Sequence, residues 1–259
     1  MAQYRDVEGM RKIEIKAVTI DYWETLYFHV GTSEYRKQVR NRALMSYLDS
    51  RRTNDLTYVC ETFFQTVDSF IKSTWSKGVC PTSKETMRYA YDFYKGKVSE
   101  ELLENLLEVT FNVYKKELHP RLAPSAISFL EWVTVRWPLY LVSDTFTLTG
   151  RVLDEIMSQD GIIDFFTHRF YSDEIMVKKP DPTVMEKISS EEQIKTSEII
   201  HVGDLIETDA EFARCAGSKC IIVNGKSDDI RSSLLGYPED VILAFCKNLD
   251  EVKETLRVQ

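Results

Sequence analysis

A chain of 259 residues is long enough for one large domain, or a core with a smaller insert, around a sizeable buried interior. With only 10 Gly and 7 Pro, a hydrophobic fraction of 43% and an aromatic fraction of 12%, it is neither disordered nor collagen-like. Its net charge of −8 argues against a nucleic-acid or anionic-membrane partner and leaves room for a local basic pocket that takes a small anion.

The opening stretch MAQYRDVEGMRK carries charge but no apolar h-region, so it does not read as a signal peptide. No apolar run approaches the roughly 18 residues of a membrane span. The expected location is therefore cytoplasmic. Five cysteines, Cys60, Cys80, Cys215, Cys220 and Cys246, show no C-x-x-C pairing. They read as mostly buried, reduced thiols, with a Cys215–Cys220 disulfide left open.

Residues 13–20, IEIKAVTI, begin with alternation and become continuously apolar, as in a strand covered on both faces. The character then changes. EYRKQVRNRALMSYLDSRR, LTYVCETFFQTVDSFIKSTW, SKETMRYAYDFYKGK and EELLENLLEVTFNVYKKEL each place apolar residues at three- and four-residue spacing, which predicts four amphipathic helices. Ser99 with Leu102 fits a helix start only loosely, and Gly78 with Cys80-Pro81-Thr82 separates the second helix from the third.

Beyond His119-Pro120, strands and helices alternate. SAISFLEWVTVRW reads as helix, PLYLVSD and THRFYS as strands, and DPTVMEKI as helix. EIIHVGD follows as a strand and TDAEFARCAG as a helix stopped by Gly217. KCIIVN and DVILAF are strands, and LDEVKETLRV closes the chain as a helix. This alternation predicts an α/β fold, a doubly wound parallel sheet with helices on both faces. The all-helical stretch after the first strand is then a second, smaller domain. The expected division is residues 1–31 with 120–259 as core and 32–119 as helical insert.

In open parallel sheets, ligands bind beyond the carboxyl ends of the strands. Three apolar strands here end in polar residues: Asp21, then Ser143-Asp144, then Asp204. Lys178-Lys179-Pro180 lies between the second and third. Each taken singly could be a cap or a turn residue. His29, His119, His168 and His201 show no metal spacing, and His201, inside a strand, reads as a satisfied core histidine. Arg36 and Arg40 on the first insert helix read as surface residues, with contact to an anionic substrate as the alternative.

In that order, TIDYWETL, YLVSD, KKPDP and HVGDLIETD resemble the four motifs of the haloacid dehalogenase (HAD) superfamily. The resemblance covers about residues 13–31 and 120–245, and the helical insert falls where many members carry a cap. It implies a Rossmann-like core and roles for matched positions. Asp21 would be the nucleophile, and Ser143 would hydrogen-bond the transferring group. Lys179 would hold Asp21 and the substrate's negative charge. Asp144 would flank the substrate, although it also reads as a loop or capping residue. The implied cofactor is Mg²⁺, held by Asp21, Asp204 and the Trp23 backbone carbonyl, with Asp209 supporting it through water or Lys179. The implied partner is a small phosphorylated molecule. Oligomeric state is not readable.

Two departures matter. Phosphatases of this superfamily usually have a second Asp two places after the nucleophile as general acid and base, and Trp23 stands there. A departing halide needs no proton, so Trp23 pulls towards dehalogenation. The G-D-x-x-x-x-D of residues 203–209 resembles the metal-binding form and pulls towards a Mg²⁺-dependent phosphatase. Glu24 and Met176 stand where related members often have Gly, which leaves a third reading, a weakly active or inactive phosphate-ligand or partner-binding protein. Glu24 is also a candidate displaced proton carrier.

Overall fold

A computed structural model describes residues 13–51, 57–95, 97–145, 147–223 and 241–259. The readings of residues 1–12, of the junction between the first two predicted helices, and of the positions at 96, 224 and 240 lie outside them.

Six strands form one parallel sheet: β1 (Ala17–Ile20), β4 (Leu139–Ser143), β5 (His168–Tyr171), β6 (Ile199–Gly203), β7 (Lys219–Val223) and β8 (Ile242–Cys246). Their order across the sheet is β5-β4-β1-β6-β7-β8. β1 is therefore central, with Ile20 opposite Leu141 on β4 and Val202 on β6. That register brings the residues just beyond all three strands to one edge, which is why Asp21, Ser143 and Asp204 can meet.

Side-chain alternation divides the interior. Val18, Ile20, Leu139, Leu141, Ile200 and Val202 face one layer, made by α5 (Ala126–Thr134), α6 (Gly150–Gln159) and α10 (Leu249–Arg257). Ala17, Tyr140, Val142, Ile199, Cys220 and Ile222 face the other, made by α8 (Thr183–Glu192) and α9 (Glu211–Ala216). Burial on both faces explains the near-continuous apolar runs in the sequence. The predicted stop at Gly217 is a left-handed C-cap, φ +70°.

Several elements were not read from the sequence, among them the four-residue α7 (Ser172–Ile175). Another is α6, where Val152, Leu153, Ile156 and Met157 recur at helical spacing and are fully buried. A third is an antiparallel pair, β2 (Tyr27–Phe28) with β3 (Arg121–Leu122). Between these two short strands run the four expected helices: α1 (Ser33–Arg51), α2 (Thr57–Trp75), α3 (Ser83–Phe93) and α4 (Glu100–Lys116). They enclose their own apolar cluster, with Leu44, Leu48, Phe63, Leu103 and Leu106 at its centre. Val39, Phe111 and Tyr114 join the core's cluster instead. Ser99 caps α4 through its hydroxyl, which accepts from Leu102 N, and Thr82 with Glu85 forms a capping box on α3.

All five cysteines are free thiols. Four are buried, but Cys215 is exposed on α9 while Cys220 lies fully buried in β7, so the open question of a Cys215–Cys220 bridge is answered by two thiols. Among the described residues, no helix is long and apolar enough to cross a membrane.

Candidate active site at the carboxyl edge of the sheet

Asp21 follows β1 directly, its backbone N–H donating to Val202 O at 2.9 Å. The residue is 6% exposed. Lys179, 4% exposed, donates from Nζ to Asp21 Oδ1 and to Asp209 Oδ1, both at 2.5 Å. Asp144 Oδ1 accepts the Lys179 backbone N–H at 3.0 Å, which ties the Lys179 loop to the end of β4. Asp144 thus acts on the loop's position. Ser143 ends β4 fully buried, and its Oγ has no hydrogen-bond partner. A buried hydroxyl is costly to leave unpaired, and this one lies at the end of β4, next in sequence to the Asp144 that holds the Lys179 loop.

Asp209 sits on a single π-helical turn, Ile206–Ala210, just after β6, a distortion common at functional sites. Both its oxygens are occupied by protein donors. Oδ1 takes Lys179 Nζ and His201 Nε2, the latter at 2.9 Å. Oδ2 takes the backbone N–H groups of Asp204 and Leu205 and the Thr208 hydroxyl. Asp209 is therefore built to support Lys179. His201 is satisfied, as expected of a core histidine, since Thr19 Oγ1 lies 2.8 Å from Nδ1. The sequence did not reveal its second partner, Asp209. Asp209 is held ionised and can only accept, so Nε2 carries the ring proton and Nδ1 accepts from the Thr19 hydroxyl.

Gly203 makes this packing possible. A Cβ there would stand 2.2 Å from Asp209 Cγ. We expect Gly203→Ala to push Asp209 off Lys179, lowering stability by about 1–3 kcal/mol through overpacking. Thermal melting checks it: a Tm within error of wild type would show that the π turn yields freely.

The electrostatics are lopsided. Four carboxylates, Asp21, Asp144, Asp204 and Asp209, share Lys179, while Lys178 Nζ lies 5.0 Å from the centre of the Trp75 ring. Burial opposes the charge on Lys179, but Asp209, Asp21 and Asp144 outweigh it and hold its pKa well above the usual lysine value. Burial also opposes the charge on Asp209, yet Lys179 and His201 hold that carboxyl well below the ordinary range. Asp21 has Lys179 alone, so burial prevails over that attraction and lifts it to about 7, with Asp209 adding to the rise. Asp204 is pushed up to about 8 by burial and then by Asp209 and Asp21. The site is short of positive charge.

Among the described residues, no group of three or more His, Cys, Asp or Glu side chains is placed to hold a metal ion. Magnesium does not require one. It usually binds through one or two carboxylates, with water and substrate oxygens completing its shell. Asp21 and Asp204, with the Trp23 carbonyl two residues after Asp21, fit that demand in donor type and in unneutralised charge.

After Asp21 the chain makes a tight loop. Tyr22 O accepts from both Leu26 N and Tyr27 N, and Glu24 N donates to Tyr27 O. This forces Glu24 to φ +53°, and Met176, in a second loop, adopts φ +58°. Both are left-handed positions where a side chain is strained, as the comparison with Gly implied. The half-buried Trp23 ring stacks on His29, 4.1 Å between centroids, and meets Tyr22 edge-on. Burial, aided by Arg36, lowers His29 to about 4, so it is neutral at pH 7 and offers no imidazolium proton. Arg40 is half-buried over Phe64, with its Nε unpartnered and no described carboxylate at ion-pair distance.

A family model for haloacid dehalogenase-like hydrolases matches residues 15–217, well over half of the chain. The chain belongs to that family. Solved HAD-type structures share its fold over nearly their whole length. A 2-haloacid dehalogenase from Pseudomonas syringae pv. Tomato DC3000 matches with TM-score 0.69 and 20% identity, covering 94% of this chain and 99% of its own. YfnB from Bacillus subtilis, solved bound to magnesium, matches with TM-score 0.57 and 15% identity, over 94% and 99%. A HAD phosphatase from Thermococcus onnurineus matches with TM-score 0.57 and 15% identity, over 93% and 98%. At such identities the likeness is one of fold. Among proteins of curated function, none matches this sequence. Hydrolase chemistry follows from the family, and the substrate has to be argued from the site.

Proposed function

We propose that this HAD-family hydrolase is a Mg²⁺-dependent phosphatase that cleaves a small phosphomonoester through an aspartyl-phosphate intermediate. The observation that supports this most is that buried Asp21 and half-buried Asp204 follow the neighbouring strands β1 and β6, beside a lysine already bonded to Asp209. A metal-free dehalogenase has no use for Asp204, because an uncompensated carboxylate there repels the nucleophile. Two unit charges about 4 Å apart interact by roughly 4 kcal/mol at an effective dielectric of 20. When bound, a divalent cation supplies the positive charge that offsets repulsion between carboxylate and phosphoryl oxygens.

The chain's own residues do the rest. Lys179 Nζ orients Asp21 Oδ1 and faces the incoming negative charge. Ser143 Oγ donates its free O–H to a phosphoryl oxygen. An Asp21 oxygen attacks phosphorus and the bond to the leaving oxygen breaks. Water then cleaves the acyl phosphate, releasing inorganic phosphate and restoring Asp21. Dividing one hard displacement into two is the gain from covalent catalysis.

Trp23 favours a second reading, a 2-haloacid dehalogenase, since it supplies no proton and a halide requires none. The deciding assay is turnover of an activated aryl phosphate with and without Mg²⁺, set against chloride release from 2-chloropropionate. Mg²⁺-dependent phosphate release supports the phosphatase, chloride release replaces it with the dehalogenase, and neither activity leaves a binding protein. Mg²⁺ should also raise the Tm, by about 2.7 kcal/mol of stabilisation at a hundred times its dissociation constant, and Asp204→Asn should remove most of the shift. A melting curve unmoved by millimolar Mg²⁺ counts against the metal site.

A further inference from the structure

The loop that delivers Lys179 is held from two sides. It starts at α7, where Ser172 and Asp173 are buried, and runs through the left-handed Met176 to Lys178-Lys179. On the core side, Thr145 ties the start of the loop to the end of β4. The Thr145 backbone N–H donates to Ser172 Oγ at 2.9 Å. Thr145 Oγ1 donates to Asp173 Oδ1 at 2.5 Å and accepts from Asp173 N at 3.0 Å. Asp144 ties the end of the loop through the Lys179 N–H. Lys179 Nζ lies 2.5 Å from Asp21 Oδ1, so the seat of the loop sets the lysine against the nucleophile.

The other side is the insert. Its stretch from Trp75, at the end of α2, to Ser83, at the start of α3, meets the loop at both ends. Buried Cys80 donates from Sγ to Ser172 O at 3.2 Å, and Ser83 Oγ donates to Asp173 Oδ2 at 2.6 Å. At the far end the Trp75 ring faces Lys178 Nζ, and that ammonium donates to Lys179 O at 3.1 Å. The two sides meet in Asp173. Its third donor is Gly150 N, at the first residue of α6, 3.1 Å from Oδ1. Of these three donors, two belong to the core and one, Ser83, to the insert. Loss of the Ser83 hydroxyl therefore frees the loop from α3 and leaves the carboxylate bonded to Thr145 and Gly150.

We propose that Ser83 and Trp75 are positioning residues, which act through Asp173 and Lys178 to seat the loop that holds Lys179 against Asp21. The insert thereby sets the geometry of the nucleophile. The inference rests on the phosphatase reading for the roles of Asp21 and Lys179. Misplacing a catalytic group by about 1 Å can cost roughly a hundredfold in rate, so a modest loosening of this loop is enough to be read in kcat.

The test compares Ser83→Ala, Ser83→Thr and Trp75→Leu in the full chain. Ala suits the first position of a helix capped by Thr82, so Ser83→Ala should keep the fold. With Mg²⁺ and an aryl phosphate, Ser83→Ala should lower kcat about tenfold and change KM by less than about twofold. Ser83→Thr keeps the hydroxyl and should restore most of the rate. Amide hydrogen exchange without substrate gives a reading independent of turnover. The Asp173 and Lys179 N–H groups are bonded to Thr145 and Asp144, so a loosened loop exchanges faster. Exchange over residues 172–179 should quicken by about fivefold or more in Ser83→Ala and in Trp75→Leu, while β1 and β6 keep the wild-type rate. Loop exchange at the wild-type rate in both variants overturns the inference, and the phosphatase stands if the aryl phosphate is still cleaved. Faster exchange along the whole chain also overturns it, because Ser83 then stabilises the fold as a whole. A loss carried in KM overturns it by placing Ser83 against the substrate. Faster exchange confined to residues 172–179, with no phosphate ester cleaved by wild type, sinks the phosphatase and keeps the seat of the loop.

Discussion

Asp21→Asn should eliminate hydrolysis while leaving the fold intact. The backbone N–H of residue 21 donates to Val202 O in either variant, so the end of β1 keeps its place. The amide oxygen can still accept from Lys179, and Asn matches Asp in volume. The change removes one carboxylate from a group of four served by Lys179, of which Asp21 and Asp209 are buried and Asp144 and Asp204 half-buried. Without Mg²⁺ the variant should therefore melt no lower than wild type. Its response to Mg²⁺ should weaken, because half of the carboxylate pair is gone. Turnover should fall below a few percent, since an amide forms no acyl phosphate. The measurements are thermal melting with and without Mg²⁺, and aryl phosphate hydrolysis in a preparation free of contaminating phosphatase. Retention of more than a few percent of turnover would remove Asp21 as nucleophile. A large loss of Tm in the absence of metal would show instead that the charge of Asp21 is needed to hold Lys179 in place.

The sheet edge that carries Asp21 was legible because burial on both faces leaves an unmistakable pattern. An apolar run that stops at a carboxylate or hydroxyl marks a strand end, and Asp21, Ser143 and Asp204 were all found that way. The strained loops at Glu24 and Met176 were legible through resemblance, because a residue standing where relatives have Gly signals a left-handed backbone. The helix α6 carried a readable signal, with Val152, Leu153, Ile156 and Met157 at helical spacing, but it lies in a stretch that the alternation did not assign. The β2–β3 pair carried none. Its strands are two residues each and meet only because the insert's ends converge. His201 shows where periodicity runs out. A histidine buried in a strand could be recognised as satisfied, yet its bond to Asp209 depends on a π turn and on Gly203 having no Cβ. Likewise the Asp173 network joins Ser83, Thr145 and Gly150 from three separate stretches, and no local spacing announces it.

If Trp23 leaves the acid–base position vacant, leaving groups that depart without a proton should be strongly preferred. General acid catalysis supplies about a hundred- to ten-thousand-fold, so an alkyl phosphate should be slower than an acidic aryl phosphate by up to that factor beyond the difference in the solution reaction. That corresponds to roughly 3 to 5 kcal/mol of barrier. Neutral His29, stacked on Trp23, holds no imidazolium proton to make up the deficit. Trp23→Asp should narrow the gap by accelerating the alkyl substrate more than the aryl one. The Trp23 carbonyl belongs to the backbone, so the change leaves that metal donor in place. Packing is the competing effect. The ring is half-buried between His29 and Tyr22, so its removal should cost less than the roughly 3 to 5 kcal/mol of a fully buried Trp, and a melting curve must first show a folded variant. The measurement is turnover against leaving-group pKa for both proteins at saturating Mg²⁺. A steep wild-type slope that flattens in Trp23→Asp establishes the vacancy. A flat wild-type plot, or a slope unchanged in the folded variant, shows that another residue already delivers the proton. Glu24 is the first to test, because its left-handed φ of +53° holds a carboxylate in the loop next to Trp23.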